Sequence, residues 1–587
     1  MIDSYITPYF AQFLDKNQAI WKTWDGYTIS VGEFSTLHTQ CLQISQQNNF
    51  NAKNIFFIIA DNHPDVIALM MSFAAFAKCV PIPPNITNHE LLKISENILP
   101  DAIIYHQSRN NTTEIQKYCT DENISLISFF IENSSFSFSG SLNEISSRNK
   151  FGLLDSTPGW IFHTSGTTGQ PRAIFLSNAN ILKNAEAMRD EFSISPNDIN
   201  LHTLPIFHVG GIIQSLITSF VSGATSIFWN PLSEISFKNI TDKFHPTWFT
   251  SSPAIHKLIL NKAKQENYSP SGYRFVRSSS AYLNAQTMQE MLDFYQTKII
   301  SAYGATEAAG QISYFAITNN DPFISDNNKN CIGIPIDMEI SIFDENEQII
   351  TIPEKIGRLA YKGKQVAEYE FINHQCKTIQ TSTGWFISED YAFWDNEQNP
   401  ILLGRSVEII NRGGELISAK EIENVIIAHP DVMDCAVTPI TDPFMGQEIC
   451  AFLVRKQDIS IQHLKKHILD FLSPQKIPGK FIFLDQLPLL PNFKIDYEYL
   501  RNNYLPTKGG VFNADIYTKL KVIWKTIFRS EEISPNESFY QFGVDSLQIT
   551  ELAITISETF NITVLPSEIF SHDTFDKLLD LINEKIK

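Results

Sequence analysis

Thr164-Ser-Gly-Thr-Thr-Gly-Gln-Pro-Arg172 follows the apolar run Trp160-Ile-Phe162 and gathers hydroxyls, two glycines and a cation into nine residues. Glycine lets backbone N–H groups close around an oxyanion, Thr164, Ser165, Thr167 and Thr168 add donors, and Arg172 adds charge. The stretch reads as a phosphate cradle. It is no Walker A loop, because G-x-x-x-x-G-K-[ST] is absent. Outward from it, roughly the first 400 residues alternate β-branched or aromatic runs with amphipathic stretches. Asn54-Ile-Phe-Phe-Ile-Ile59, a helical segment from Pro64 to Lys78, and Val80-Pro-Ile82 are examples. That alternation predicts an α/β domain with largely buried strands.

The chain has 587 residues, 43% of them hydrophobic and 19% charged, so it should fold almost throughout and hold several cores. Lys+Arg 45 against Asp+Glu 64 gives a net charge of −19, which argues against a broad nucleic-acid surface. The seven cysteines are scattered without a C-x-x-C pair, as buried thiols in a reducing compartment would be. The start, Met-Ile-Asp-Ser-Tyr, lacks the basic and apolar regions of a signal peptide, and no apolar stretch approaches the ~20 residues of a membrane span. The expectation is a cytoplasmic protein with no membrane span.

The texture changes near Leu402-Leu-Gly-Arg405. Residues 1–404 are expected to form the large domain, 405–503 a small α+β unit, 504–514 a linker rich in Gly, Asn and Pro, and 515–587 a helical bundle. In the bundle, Ile549, Leu552, Ala553, Ile556 and Phe560 form one apolar stripe at helical spacing, leaving Leu547 and Ile554 on the opposite side. Asp545-Ser-Leu-Gln548 reads as the cap that places Ser546 at a helix start. From Asp515 to Lys587 there are 12 Asp+Glu and 7 Lys+Arg, so the bundle is acidic.

With these segments in view, the chain resembles the adenylate-forming superfamily of acyl-CoA synthetases, nonribosomal adenylation domains and luciferases, fused to an acyl or peptidyl carrier domain. The loop at 164–172 resembles that superfamily's signature, with Arg172 where Lys is usual. Further matches follow in the same order: Pro205-Ile-Phe-His208-Val-Gly-Gly211, Tyr303-Gly-Ala-Thr-Glu307, Gly384-Trp-Phe-Ile-Ser-Glu-Asp390, Gly404-Arg405, Asn411-Arg-Gly-Gly-Glu415 and Pro491-Asn-Phe-Lys494-Ile-Asp496. Phe542-Gly-Val-Asp-Ser-Leu547 resembles a phosphopantetheine site.

The resemblance implies an α/β fold: a large N-terminal domain of sheets with flanking helices and a small β-barrel-like part, a mobile α+β subdomain, and a four-helix carrier bundle. It also implies roles. Thr164, Ser165, Gly166, Thr167, Thr168, Gly169 and Arg172 hold the phosphates of ATP. His208 lines the acyl pocket, Tyr303 packs on adenine with Gly304 beside it in the nucleotide site, and Thr306 reaches the phosphate. Glu307 holds Mg²⁺, Asp390 takes the ribose hydroxyls, and Arg405 stands at the hinge. Lys494 is the catalytic lysine of acyl-AMP formation. Gly413 and Gly414 enter the site for thiolation, and Ser546 carries 4′-phosphopantetheine. Val407, where Asp or Lys is usual, and Phe493, where Gly is usual, depart from the pattern.

The implied function is activation of a carboxylic acid as acyl-AMP with pyrophosphate release, then thioester transfer to the chain's own carrier. Phe207-His208-Val209-Gly210 stands where amino-acid-activating domains have F-D-x-S, which points to an acid without an α-amine. Phe244-His-Pro-Thr-Trp-Phe-Thr-Ser-Ser-Pro253, Arg277-Ser-Ser-Ser-Ala-Tyr-Leu283 and Ile410-Asn-Arg-Gly-Gly414 resemble the branch of acyl- and oxalyl-CoA synthetases, and no segment like that of long-chain fatty acyl-AMP ligases is added between Gly363 and Thr383, which implies a short, aryl or small dicarboxylic acid. A linker of about a dozen residues reaches at most roughly 40 Å, and tethering places the thiol at effective concentrations in the millimolar range. Implied partners are a phosphopantetheinyl transferase and a condensing, reducing or acyl-transferring enzyme in trans, in a secondary-metabolite or lipid-like pathway. The alternatives are an acyl-CoA ligase with a vestigial carrier, an amino-acid-loading nonribosomal module, and a non-catalytic carrier scaffold.

Overall fold

Ile55–Ile59 and Lys78–Ile82 are buried along their whole length, and Ala102–His106 nearly so, as β-branched and aromatic runs between covering layers must be. They pair in parallel at the centre of a nine-stranded sheet that Gly159–Thr164 and Ser125–Glu132 extend on either side. The computed structural model describes the chain except residues 1–4, 14, 110, 141, 148–151, 165–170, 284, 319–329, 406–408, 413–414, 443–445, 458, 489–494, 505–515, 517–518, 522, 525–526, 528–537, 539–545, 561 and 587. The described residues divide into two units, Met1–Val407 and Glu408–Lys587.

In the first unit a second nine-stranded sheet has six parallel strands at its centre, from Lys298–Ala305 through Phe275–Ser278, Trp248–Ser251, Ile199–His202 and Thr225–Phe228 to Ala19–Thr23. The main core lies between the two sheets. It takes Trp21 and Phe228 from one, Phe56 and Ile174 from the other, and the wholly buried helix Pro64–Phe73. That helix ends earlier than the expected Lys78, because Lys78 already belongs to the strand and donates its amine to the carbonyls of Ala52 and Leu154. The β-rich part is a four-stranded antiparallel sheet of Glu339–Phe343, Gly357–Lys362, Phe386–Trp394 and Pro400–Arg405.

In the second unit, the strands Glu415–Ser418, Ile409–Arg412, Gly446–Arg455, Val432–Asp442 and Lys480–Leu484 form one sheet. Ser418 caps the helix Ala419–Ile427 by accepting from the Glu421 N–H. Helices Ser546–Phe560, Pro566–Ser571 and Phe575–Ile586 follow. Ile549, Leu552, Ala553 and Ile556 are buried in one core with Leu520, Trp524 and Phe575, and Phe560 packs against it. Ile554 is 52% exposed, so the apolar stripe faces inward as its spacing requires. Leu552→Ala should therefore remove about 2–5 kcal/mol from this small core. A lower urea midpoint for the carrier transition would register the loss.

Candidate active site

The strands Gly159–Thr164 and Arg172–Ser177 form an antiparallel hairpin in which Thr164 faces Arg172. The two ends of the phosphate-cradle stretch are thus paired strands of one hairpin. Its residues Ser165, Gly166, Thr167, Thr168 and Gly169 lie outside the described residues.

Arg172, at the start of the return strand, meets two carboxylates. Its Nη1 donates to Glu307 Oε1 at 2.8 Å and its Nε to Glu370 Oε2 at 2.8 Å. Burial works against the charged guanidinium, but Glu307 and Glu370 together outweigh it and hold the group above its ordinary range. The planar fork thus offers separate N–H groups to two acids at once, where a lysine offers a point charge. Glu307 sits in the short turn Thr306–Ala308 that ends the strand Lys298–Ala305, and its carbonyl accepts from the Ala367 N–H at 2.7 Å.

Tyr303 lies on that same strand, and its hydroxyl donates to Asp390 Oδ2 on Phe386–Trp394. Asp390 pairs in register with Arg405 on the neighbouring strand. The predicted adenine and ribose residues are therefore in direct contact. Gly304 is required by close approach: a Cβ there would fall 2.0 Å from the Gly310 carbonyl oxygen. His208 precedes the turn Val209–Gly211, is exposed, and has its ring 4.4 Å from that of Phe207. The chain then enters a π-helical turn, Ile212–Ile217, a distortion common at functional positions.

Thr164 and Arg172 thus stand on one sheet, Tyr303 and Gly304 on the second with Thr306 and Glu307 in the turn that ends their strand, and Asp390 on the four-stranded sheet, joined by the Arg172–Glu307 and Tyr303–Asp390 contacts. Lys494, Gly413, Gly414 and the expected linker 504–514, apart from Tyr504, lie outside the described residues. Ser546 is the first residue of the helix Ser546–Phe560. Glu370 escaped the reading of the sequence. Its signal was a single acid inside the apolar strand Tyr369–Ile372. A carboxylate such as Glu307 is a hard oxygen donor of the kind that would suit Mg²⁺.

Comparison with known proteins adds three matches in order. A family model described as AMP-binding enzyme covers residues 18–369, the AMP-binding enzyme C-terminal domain covers 421–494, and the phosphopantetheine attachment site covers 518–582. A probable CoA ligase, CCL9, of Humulus lupulus is 29% identical over 58% of this chain and 65% of its own length. The oxalate–CoA ligase of Arabidopsis thaliana is 28% identical over 58% of this chain and 67% of its own. The chain thus spans about two thirds of the length of these curated relatives. The solved structure of McyG A-PCP complexed with phenylalanyl-adenylate superposes with a TM-score of 0.69 at 18% identity, covering 99% of both chains. That likeness concerns the fold.

Proposed function

The chain belongs to the AMP-binding enzyme family, and from that premise we propose that it is an acid–thiol ligase that activates a carboxylic acid as acyl-AMP and passes the acyl group to its own carrier domain. The observation that carries this reading is the order of modules on one chain: AMP-binding enzyme, its C-terminal domain, then a phosphopantetheine attachment site. The oxalate–CoA ligase match favours a small acid over an amino acid, and Phe207-His208-Val209-Gly210 in place of F-D-x-S agrees.

A carboxylate cannot expel oxide, so it attacks the α-phosphorus of ATP and releases pyrophosphate. No protein nucleophile is needed; positioning and charge stabilisation do the work. Thr164 and Arg172 bracket the loop that takes the phosphates, Thr306 and Glu307 face the reacting phosphate and its Mg²⁺, and Tyr303 and Asp390 hold the nucleoside. Mg²⁺ supplies countercharge to the phosphates. Lys494 supplies a cation in adenylation, and Gly413 with Gly414 replaces it for thiolation. Ser546 would carry the 4′-phosphopantetheine arm, whose thiol would accept the acyl group. A phosphopantetheinyl transferase installs the arm, and an enzyme in trans takes the product.

Glu370→Gln gives a local check. With Glu370 neutral, Arg172 leans on Glu307 and competes harder with Mg²⁺. The Mg²⁺ concentration for half-maximal adenylation should rise several-fold, which a magnesium titration of pyrophosphate release would read. The function itself is tested by acid-dependent ATP–pyrophosphate exchange across a panel of carboxylic acids. One or a few small acids should support exchange, whereas no exchange with any acid would overturn the reading.

A further inference from the structure

The strand Ile55–Ile59 leads through the helix Pro64–Phe73 to Lys78–Ile82 on one side, and Ala102–His106 leads to Ser125–Glu132 on the other. The crevice between Ile55–Ile59 and Ala102–His106, at their carboxyl ends, is therefore a topological switch point, the place where open α/β sheets bind ligands. Three metal-ligating side chains meet there. His63 is the N-cap of the helix, Asp65 lies in its first turn, and His106 is the last residue of its strand. One ligand atom from each lies within 4.8 Å of the other two. None of the three has a part in the proposed reaction.

Asp65 is 4% exposed and His106 8%. Among the described residues the ion-pair partners of Asp65 are these two imidazoles and no lysine or arginine: His63 Nδ1 lies 3.5 Å from its Oδ1, and His106 Nε2 lies 3.1 Å from its Oδ2. Arg109 is committed to Asp61 Oδ1 at 2.7 Å and to the Pro84 carbonyl. Two carboxylates thus share one guanidinium here, and Asp61 Oδ2 is buried with no hydrogen-bond partner. A buried carboxylate is normally paired with a cation or ligates a metal. A tetrahedral Zn²⁺ with bonds of about 2.0–2.1 Å holds its ligand atoms about 3.3–3.4 Å apart, between the two separations found at Asp65. On the far side of the His106 ring, Nδ1 lies 2.7 Å from Ser108 Oγ, the kind of outer partner that orients a ligating imidazole. Tyr27 donates to Asp65 Oδ1 at 2.5 Å and steadies the carboxylate in the same way.

We propose that His63, Asp65 and His106 bind one divalent transition-metal ion, Zn²⁺ by the chemistry of its ligands, which answers the charge of Asp65 and clamps the start of Pro64–Phe73 to the end of Ala102–His106. Two imidazoles and a carboxylate suit zinc, whereas Mg²⁺ prefers oxygen alone. The ion takes the place between His106 Nε2 and Asp65 Oδ2 that a proton fills in the metal-free protein, and the imidazole keeps its proton on Nδ1, donated to Ser108 Oγ. It also takes the His63 Nδ1 lone pair, which otherwise accepts from the Asp65 N–H at a long 3.2 Å. The role is structural, and it stands apart from the acid-activating reading.

The test is the metal content and thermal stability of the full chain. Purified protein is stripped with a chelator, given Zn²⁺ or Co²⁺, and desalted. The wild type should retain one equivalent, with the visible absorption of tetrahedral Co²⁺ in the cobalt form. Zn²⁺ should also raise the melting temperature, since an ion held only by the folded state stabilises it. His63→Gln and His106→Gln should each abolish both the retention and the melting shift. Where a histidine variant does not fold, Ser108→Ala decides, at an exposed position: it should weaken Zn²⁺ binding by about 10–100-fold, and an unchanged affinity would overturn the proposal. A wild type that retains no ion would overturn it, as would folded histidine variants that retain as much as the wild type, because the ion would then sit elsewhere.

Discussion

Lys494→Ala is expected to slow acid-dependent pyrophosphate release by about 10²–10³-fold, the loss of roughly 3–4 kcal/mol that follows removal of one pre-organised group from a developing charge. The attacking carboxylate and the α-phosphate are both anionic, and their approach concentrates charge that the lysine offsets. Thiolation from a supplied acyl-adenylate makes no such demand, because the leaving AMP carries its charge away from the carbonyl. The variant should therefore retain acyl transfer from synthetic acyl-AMP to the carrier. Measuring the two half-reactions separately checks the split, and equal loss in both would contradict the assigned role.

Ser546→Ala should have an equally large and opposite signature. Without the hydroxyl no arm is attached, so the protein gains neither the phosphopantetheine mass nor an acyl group. Acid-dependent pyrophosphate release, which needs no thiol, continues. If this variant still delivers acyl groups to free CoA at the wild-type rate, the carrier is dispensable and the acyl-CoA ligase alternative gains ground. Total loss of adenylation would instead mean that Ser546 sustains the fold of the second unit.

Some of these assignments were legible in the sequence because local pattern and chemistry coincide. The apolar stripe Ile549, Leu552, Ala553, Ile556 implied its own burial, and these residues are buried. Tyr303 and Asp390 lie 87 positions apart, the resemblance of their segments assigns both to one nucleoside, and the two side chains are hydrogen bonded. Other features depend on pairing that no local window contains. Arg172 looked like a free phosphate cation, whereas strand register sets Glu370 and the following turn sets Glu307 against it. The helix from Pro64 stops at Phe73 because the strand at Lys78 needs its residues for the sheet, a tertiary demand that overrides helical spacing.

Self-loading is the central claim, and intact-protein mass spectrometry tests it most directly. The full chain is co-expressed with a phosphopantetheinyl transferase and incubated with ATP, Mg²⁺ and a pooled set of small mono- and dicarboxylic acids. A phosphopantetheine increment that maps to Ser546 is expected, followed by one further acyl increment that depends on ATP and is absent from Ser546→Ala. An armed carrier that gains no acyl group, while acyl-CoA accumulates whenever free CoA is added, would contradict it.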